Sequence, residues 1–249
     1  MKRVAKIQSR NVVIYCISVL LILCSACENN PTEEYEPQLN VVSILNSMEQ
    51  VQHVLVDRTY LLDEPSGLPI DDALVVLSGN GFVDTLVFNY ANYRYWTSPF
   101  GIAPLDTYQL MVAKDGFDTV TAVTTVPGYF TILYPWYSDT ITLQDTMVIG
   151  RSANAAVYSC FFVESISNLS FFFWYEPDPL DTLIQIPIGE YLDSPLPGRY
   201  AITAVAYDSN VYEYYFTEDD SIRQAGVTGG VGLFGSTWSA HSSTYLIVE

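Results

Sequence analysis

The sequence predicts an all-β protein of two tandem antiparallel β-sandwiches, and three observations carry that expectation. From Leu39 onward the chain is rich in Val, Ile, Thr, Tyr and Phe, gathered in runs of five to nine residues. Gly, Pro, Asn and Asp separate the runs, which is the composition of strands and turns. The runs recur at roughly ten-residue spacing, as the short antiparallel strands of a sandwich do. No window carries an amphipathic helical pattern.

The first sandwich is expected over 39–128, with strands at 39–45, 51–60, 73–78, 82–89, 93–97, 108–114 and 119–126. The last of these alternates most cleanly, setting Val120, Ala122, Thr124 and Val126 against Thr119, Thr121, Val123 and Thr125. Ser78-Gly79-Asn80-Gly81 and Lys114-Asp115-Gly116 supply turns, because Gly and Asn tolerate positive φ. Val126-Pro127-Gly128 ends the domain, since Pro stops a strand and Gly permits a sharp change of direction. The second sandwich, 129–249, is expected to place strands at 131–134, 140–144, 156–164, 170–175, 183–188, 200–207, 211–216 and 244–248, with a Gly-rich tail.

Ahead of the sandwiches, Lys2, Arg3, Lys6 and Arg10 precede the apolar run 12–23, and the small pair Ser25-Ala26 follows it. That order is a secretory signal. A spanning helix needs about 20 apolar residues, and this run is too short. The segment resembles a bacterial lipoprotein signal: Cys27 has Ser25-Ala26 before it, whereas Cys24 follows the bulky Ile22-Leu23. The resemblance implies removal of 1–26 and lipidation of Cys27, and two or more acyl chains anchor firmly. Residues 27–38 then read as the lipidated cysteine and an acidic tether, without apolar periodicity.

The whole chain carries 10 Lys and Arg against 28 Asp and Glu. Loss of 1–26 removes four cations and no acid, leaving six cations and a net charge of −22. Arg58, Arg94, Lys114, Arg151, Arg199 and Arg223 are those six, too few and too scattered for nucleic-acid binding. Cys160 would then be the single remaining free thiol, and its apolar context "VYSCFFVE" marks a buried small side chain.

The segments "VDRTYLLDEPSGLPIDDALVVLSGNG", "APLDTYQLMVAKDGF" and "AVTTVP", followed by "SANAAVYSCFFV", "PGRYAITAVAYDSNVYEYY" and "VTGGVGLFGS", resemble the envelope lipoproteins of Bacteroidota grouped as domain of unknown function 4249. The resemblance implies a transthyretin-like, Ig-like first sandwich and a fibronectin type III-like second one. It brings no catalytic residues, and Met147-Val148-Ile149 stands where a fibronectin-like module often carries Trp. Beyond that the resemblance implies only an envelope lipoprotein, sometimes encoded near outer-membrane receptors. A lipid anchor in the outer membrane, on its periplasmic face or at the cell surface, is expected, with an outer-membrane transporter or a glycan as partner.

Several motifs suggest chemistry that their context does not support. Gly230-Val231-Gly232-Leu233-Phe234-Gly235 matches a dinucleotide fingerprint, but no helical pattern or following acid accompanies it, so a turn-rich loop is expected. His53 lies in an apolar strand and His241 near the end, and no nucleophile elbow accompanies either. The acids Glu176, Asp178, Asp181 and Glu218, Asp219, Asp220 lack the spacing of a calcium loop. No catalytic residue, metal or cofactor is assigned.

Asp followed by Ser or Thr and an apolar residue occurs six times, at Thr85, Thr119, Thr140, Thr146, Thr182 and Ser221; composition predicts roughly one. Asp closing a turn before a β-branched strand start explains the triplet. So does O-glycosylation, because the triplet resembles the general glycosylation signal of exported Bacteroidota proteins, and both readings stand. Tyr90, Tyr93, Tyr95 and Trp96, and again Tyr207, Tyr212, Tyr214 and Tyr215, crowd aromatic stretches that suit either a sheet core or a binding surface. The sequence thus predicts a non-enzymatic, lipid-anchored cell-envelope module that binds an envelope partner or glycan. The alternative is a carbohydrate-active enzyme or a dedicated glycan-binding lipoprotein with a carboxylate and aromatic pocket.

Overall fold

The computed structural model describes residues 35–61, 63–65, 67–217 and 224–247. Cys27, Ser221, Arg223 and the 218–220 acids lie outside them, as does most of the expected tether. Contacts gather Pro37–Glu249 into one compact unit. The chain is all-β, as expected.

Strands β1 (Leu39–Asn46), β2 (His53–Arg58), β3 (Leu74–Gly79), β4 (Phe82–Thr85), β5 (Val87–Asn89), β6 (Arg94–Trp96), β7 (Thr107–Ala113) and β8 (Val120–Thr125) come first. Then follow β9 (Ile132–Tyr134), β10 (Asp139–Ile141), β11 (Thr146–Gly150), β12 (Val157–Glu164), β13 (Ser170–Tyr175) and β14 (Leu183–Pro187). A short helix α1 (Ile188–Tyr191), β15 (Gly198–Tyr207), helix α2 (Ser209–Phe216), β16 (Gln224–Ala225), β17 (Val227–Thr228) and β18 (Val231–Leu246) complete the chain.

A ten-stranded sheet has the order β13-β12-β15-β18-β1-β2-β6-β5, with β10 and β16 also on β18. Two smaller sheets face it: β17-β8-β7-β3-β4 and β14-β11-β9. Alternation drives this layering. In β1 the burial pattern is strictly periodic, so Leu39, Val41 and Leu45 fill one core while Val42 and Ile44 stay on the outer face. Two cores result. One holds Val41, Val54, Leu77, Leu110, Val120 and Phe234; the other holds Ile149, Tyr158, Phe162, Ile186, Tyr200 and Ile202.

Strand β18 departs from the expected boundary at 128/129. It runs for 16 residues, about 50 Å at strand rise. Residues 231–237 pair in parallel with β1, and 237–246 pair antiparallel with β15. Its first half, with Val227 of β17, therefore belongs to the core of the first sandwich, and Trp238 packs against both cores. The expected strand 244–248 is the end of this longer one. Hydrogen bonding to two successive partner strands fixes a single extended backbone where a loop was expected.

The Gly-rich motif is strand, not loop, and glycine is required for a packing reason. Gly232 has φ +120°, and a Cβ there would strike the carbonyl oxygen of Val41 on β1. At Gly235 a Cβ would strike Val211 of α2.

A second correction concerns 211–216, expected as a strand. It is helix α2, because the Asp208 carboxylate accepts the Val211 amide (3.0 Å) as an N-cap. Val211 is buried with Ala225 and Leu233, with Tyr214 packed against them on the same helical face. The tyrosines that read as strand alternation are spaced for a helix.

Candidate functional site

The large sheet continues from one sandwich to the other, so its outer face is continuous too. Across β6, β2, β1, β18, β15 and β12 this face forms a groove of about 510 Å³. Its floor is apolar at Val42, Ile44, Leu55 and Val205, and hydroxylated at Thr203 and Ser239. Register places these groups in rows. Trp174, Ser159, Val205 and Ser239 are successive cross-strand neighbours, as are Phe172, Phe161, Thr203 and His241.

One end of the groove is aromatic. Phe161 lies 4.7 Å from Phe172, Phe172 lies 5.4 Å from Trp174, and Trp174 lies 4.8 Å from Tyr207. Helix α2 borders this ladder: Phe216 meets Trp174 edge-on at 5.1 Å and stacks on Tyr212 at 5.6 Å. Phe172 is 49% exposed and Trp174 36%, a large apolar payload left facing solvent on an edge strand. The Tyr207 hydroxyl is tied to Ser159 at 3.0 Å, and burial pushes its phenol pKa up. Tyr212 donates to Glu176 at 2.7 Å, and that bond raises its phenol pKa.

The other end carries charge. His53 Nε2 sits 3.6 Å from Glu49, and its ring meets Trp96 edge-on at 5.1 Å. Arg94 lines the same groove and makes no ion pair among the described residues. Ser239 Oγ and His53 Nδ1 are buried atoms without a hydrogen-bond partner among the described residues.

A second cleft of about 480 Å³ lies where β8, the 154–156 turn and the start of α2 meet. Asp208 is 3% exposed there and accepts from Thr124 and from Ser236 (3.3 Å) as well as from Val211. Burial pushes its carboxyl pKa up against those hydrogen bonds, which pull it down. No buried side-chain atom lining this cleft lacks a hydrogen-bond partner among the described residues, and Asp208 serves as cap and as tie between the sandwiches.

The histidines and the cysteine singled out in the sequence do not converge. His53 and His241 lie in different sandwiches, and His241 is exposed with Nδ1 3.1 Å from the Thr203 hydroxyl. Cys160 is fully buried, and burial pushes its thiol up to about 12, so it is inert as a nucleophile. Among the described residues no three His, Cys, Asp or Glu side chains gather as a metal site. Likewise none of the described helices is long and apolar enough to cross a membrane.

Thr85, Thr119, Thr140 and Thr182 are exposed and Thr146 is half-buried. Asp84 accepts the Ser98 amide (2.6 Å), Asp139 the Trp136 amide (2.7 Å) and Asp145 the Thr142 amide (2.6 Å), so three triplets have a structural use. Of the highlighted aromatics, Tyr95 is core, Tyr90 and Tyr93 are exposed, and Tyr207 borders the groove.

The ladder residues Phe161, Phe172 and Trp174 were not singled out in the sequence. Their signal was present in "SFFFWY": a strand buried on one face needs only alternate aromatics, and this one has them on both.

No family model matches the chain, and no curated protein does. Among solved structures, a cytokine receptor complex is 12% identical over 82% of this chain and 94% of that one, at a TM-score of 0.30. The FN1–FN3 domains of chicken CNTN1 are 9% identical over 86% and 68%, at 0.24. A two-domain fibronectin type III segment of chicken tenascin is 11% identical over 68% and 90%, at 0.22.

Proposed function

We propose that this chain is a non-enzymatic, lipid-anchored protein of the bacterial outer membrane, allied to the domain of unknown function 4249 lipoproteins, which binds a partner on the outer face of its large sheet. The observation that carries the binding reading is the ladder Phe161–Phe172–Trp174–Tyr207 beside the groove, in which Phe172 and Trp174 face solvent. Exposed aromatics in a line are costly on a surface with no use for them, and they are favoured where a partner covers them.

Binding rather than cleavage is supported by the groove's acids. A glycosidase needs two carboxyl groups flanking the bond. Glu49 is the one carboxylate in the groove lining among the described residues.

The anchor and the face are tested together in the native envelope. Cys27→Ala should move the protein from membranes to the soluble fraction. Phe172→Ala/Trp174→Ala should leave it in membranes but lose the partner recovered by crosslinking and affinity purification. Membrane retention of Cys27→Ala after a carbonate wash refutes the anchor, and unchanged partner recovery in the double variant refutes the face.

A further inference from the structure

We infer that the groove takes an uncharged glycan chain lying across the strands, with its sugar rings on the aromatic ladder; this rests on the outer face being the binding face. Four features of the groove select that chemistry.

The first is charge. The chain as a whole is −18, a field that repels polyanions. Within the groove one carboxylate, Glu49, and one guanidinium, Arg94, offset each other, so the lining is a near-neutral patch on an acidic protein. An uncharged ligand is complementary to it, and a polyanionic chain is not.

The second is the pairing of apolar faces with hydroxyls. Phe172 and Trp174 expose ring surface, while Thr203 in the Phe172 row presents a half-exposed hydroxyl and Ser239 in the Trp174 row holds its Oγ in the groove floor without a partner among the described residues. A purely apolar ligand would leave Ser239 Oγ unpaired and would offer nothing to the Thr203 hydroxyl, whose one partner among the described residues is His241 Nδ1 at 3.1 Å. A sugar offers both an apolar C–H face for stacking and hydroxyls for Ser239, Thr203 and Asn46.

The third is what the face withholds from a peptide. Peptide strands dock by pairing with a free backbone edge. The groove exposes side chains over paired strands, so its floor offers no backbone ladder to an incoming chain.

The fourth is reach. The lining crosses six adjacent strands from β6 to β12, about 24 Å at ordinary strand spacing. That span suits a chain of several sugars rather than a monosaccharide.

The test is affinity gel electrophoresis of the full chain in detergent through gels containing dextran, starch, xyloglucan, galactomannan or mannan, with alginate and polygalacturonate as anionic arms. At least one uncharged polymer should retard the protein, and its oligosaccharides should bind more tightly as they lengthen. Phe172→Ala/Trp174→Ala should weaken that binding tenfold or more. Thr203→Lys, which fills the groove from a half-exposed floor position, should do the same with the ladder intact, should the aromatic variant fold poorly. Retardation by none of the uncharged polymers overturns the inference. So does retardation only by an anionic polymer, or binding that survives both variants unchanged. If the glycans fail while the envelope partner is still lost in Phe172→Ala/Trp174→Ala, the ligand class is wrong and the binding face stands. If the partner is also unaffected, both fall.

Discussion

The Thr124 hydroxyl, on the inner strand β8 of the first sandwich, donates to the buried carboxylate of Asp208, which caps α2 in the second. The two residues are 84 positions apart and are joined further through Ser236 of β18. The tie matters because a carboxyl buried this deeply titrates against the fold.

Burial raises the Asp208 pKa above its unfolded value. Its contribution to stability is therefore complete at pH values below the unfolded pKa and is lost as pH rises through the folded one. Asp208→Asn does not titrate, so its stability relative to wild type should improve as pH rises from acid to neutral. Asp208→Ala, which removes cap and tie together, should cost about 1–3 kcal/mol. Thermal unfolding across pH reads both, and a relative change in the opposite direction would show that the carboxylate is net stabilised.

Glu164 should behave with the opposite sign. Its carboxylate accepts from the Ser167 amide (2.5 Å) and hydroxyl (2.8 Å) and from the Ile166 amide (2.9 Å), and the Ser167 bonds lower its pKa. That stabilisation is present above the unfolded pKa and disappears as pH falls through the folded one. Glu164→Gln should thus be destabilised at neutral pH and approach wild type in acid, in the same unfolding series that tests Asp208.

The contrast between α2 and its neighbours shows what the sequence made legible. Strands β3, β7 and β8 follow from local alternation, because each buries one face and each lies near its expected limits. Helix α2 carried its own signal, Asp208 followed by apolar residues at helical spacing, but a run of tyrosines has strong strand propensity. Tertiary packing against Leu233 decided the matter. Strand β18 was less legible, because its pairing with β1 joins segments about 190 residues apart, and its glycines resemble loop composition until Val41 and Val211 stand beside them. The groove was least legible. It exists only because β18 serves both sandwiches, so no local window contains it.

Glycine substitution separates packing from conformation. Gly232→Ala meets both a positive φ and the Val41 carbonyl, and should cost roughly 3 kcal/mol or more. Gly81→Ala has φ +76° but nothing within 4 Å, and should cost about 1–2 kcal/mol. Urea unfolding of both variants checks the ordering; equal costs would mean that β18 and β1 are not in close contact at Gly232.

The Asp-Ser/Thr-apolar triplets divide by what their aspartates do. At Asp84, Asp139 and Asp145 the carboxylate holds a backbone amide, so the residue type is already explained by the turn. Among the described residues Asp118 and Asp181 make no such side-chain bond, and the hydroxyl-bearing Thr119 and Thr182 beside them are exposed. If the triplets serve glycosylation, these two sites carry it first. Mass spectrometry of protein purified from its native envelope should then find glycan on Thr119 and Thr182 at higher occupancy than on Thr140 or the half-buried Thr146. Thr119→Ala/Thr182→Ala should remove most of the added mass while leaving thermal stability within about 0.5 kcal/mol of wild type, as expected for exposed positions. An unmodified Thr119 and Thr182 alongside occupied sites elsewhere would break the link between a free aspartate and modification. A bare protein would leave the turn as the reason for the triplet.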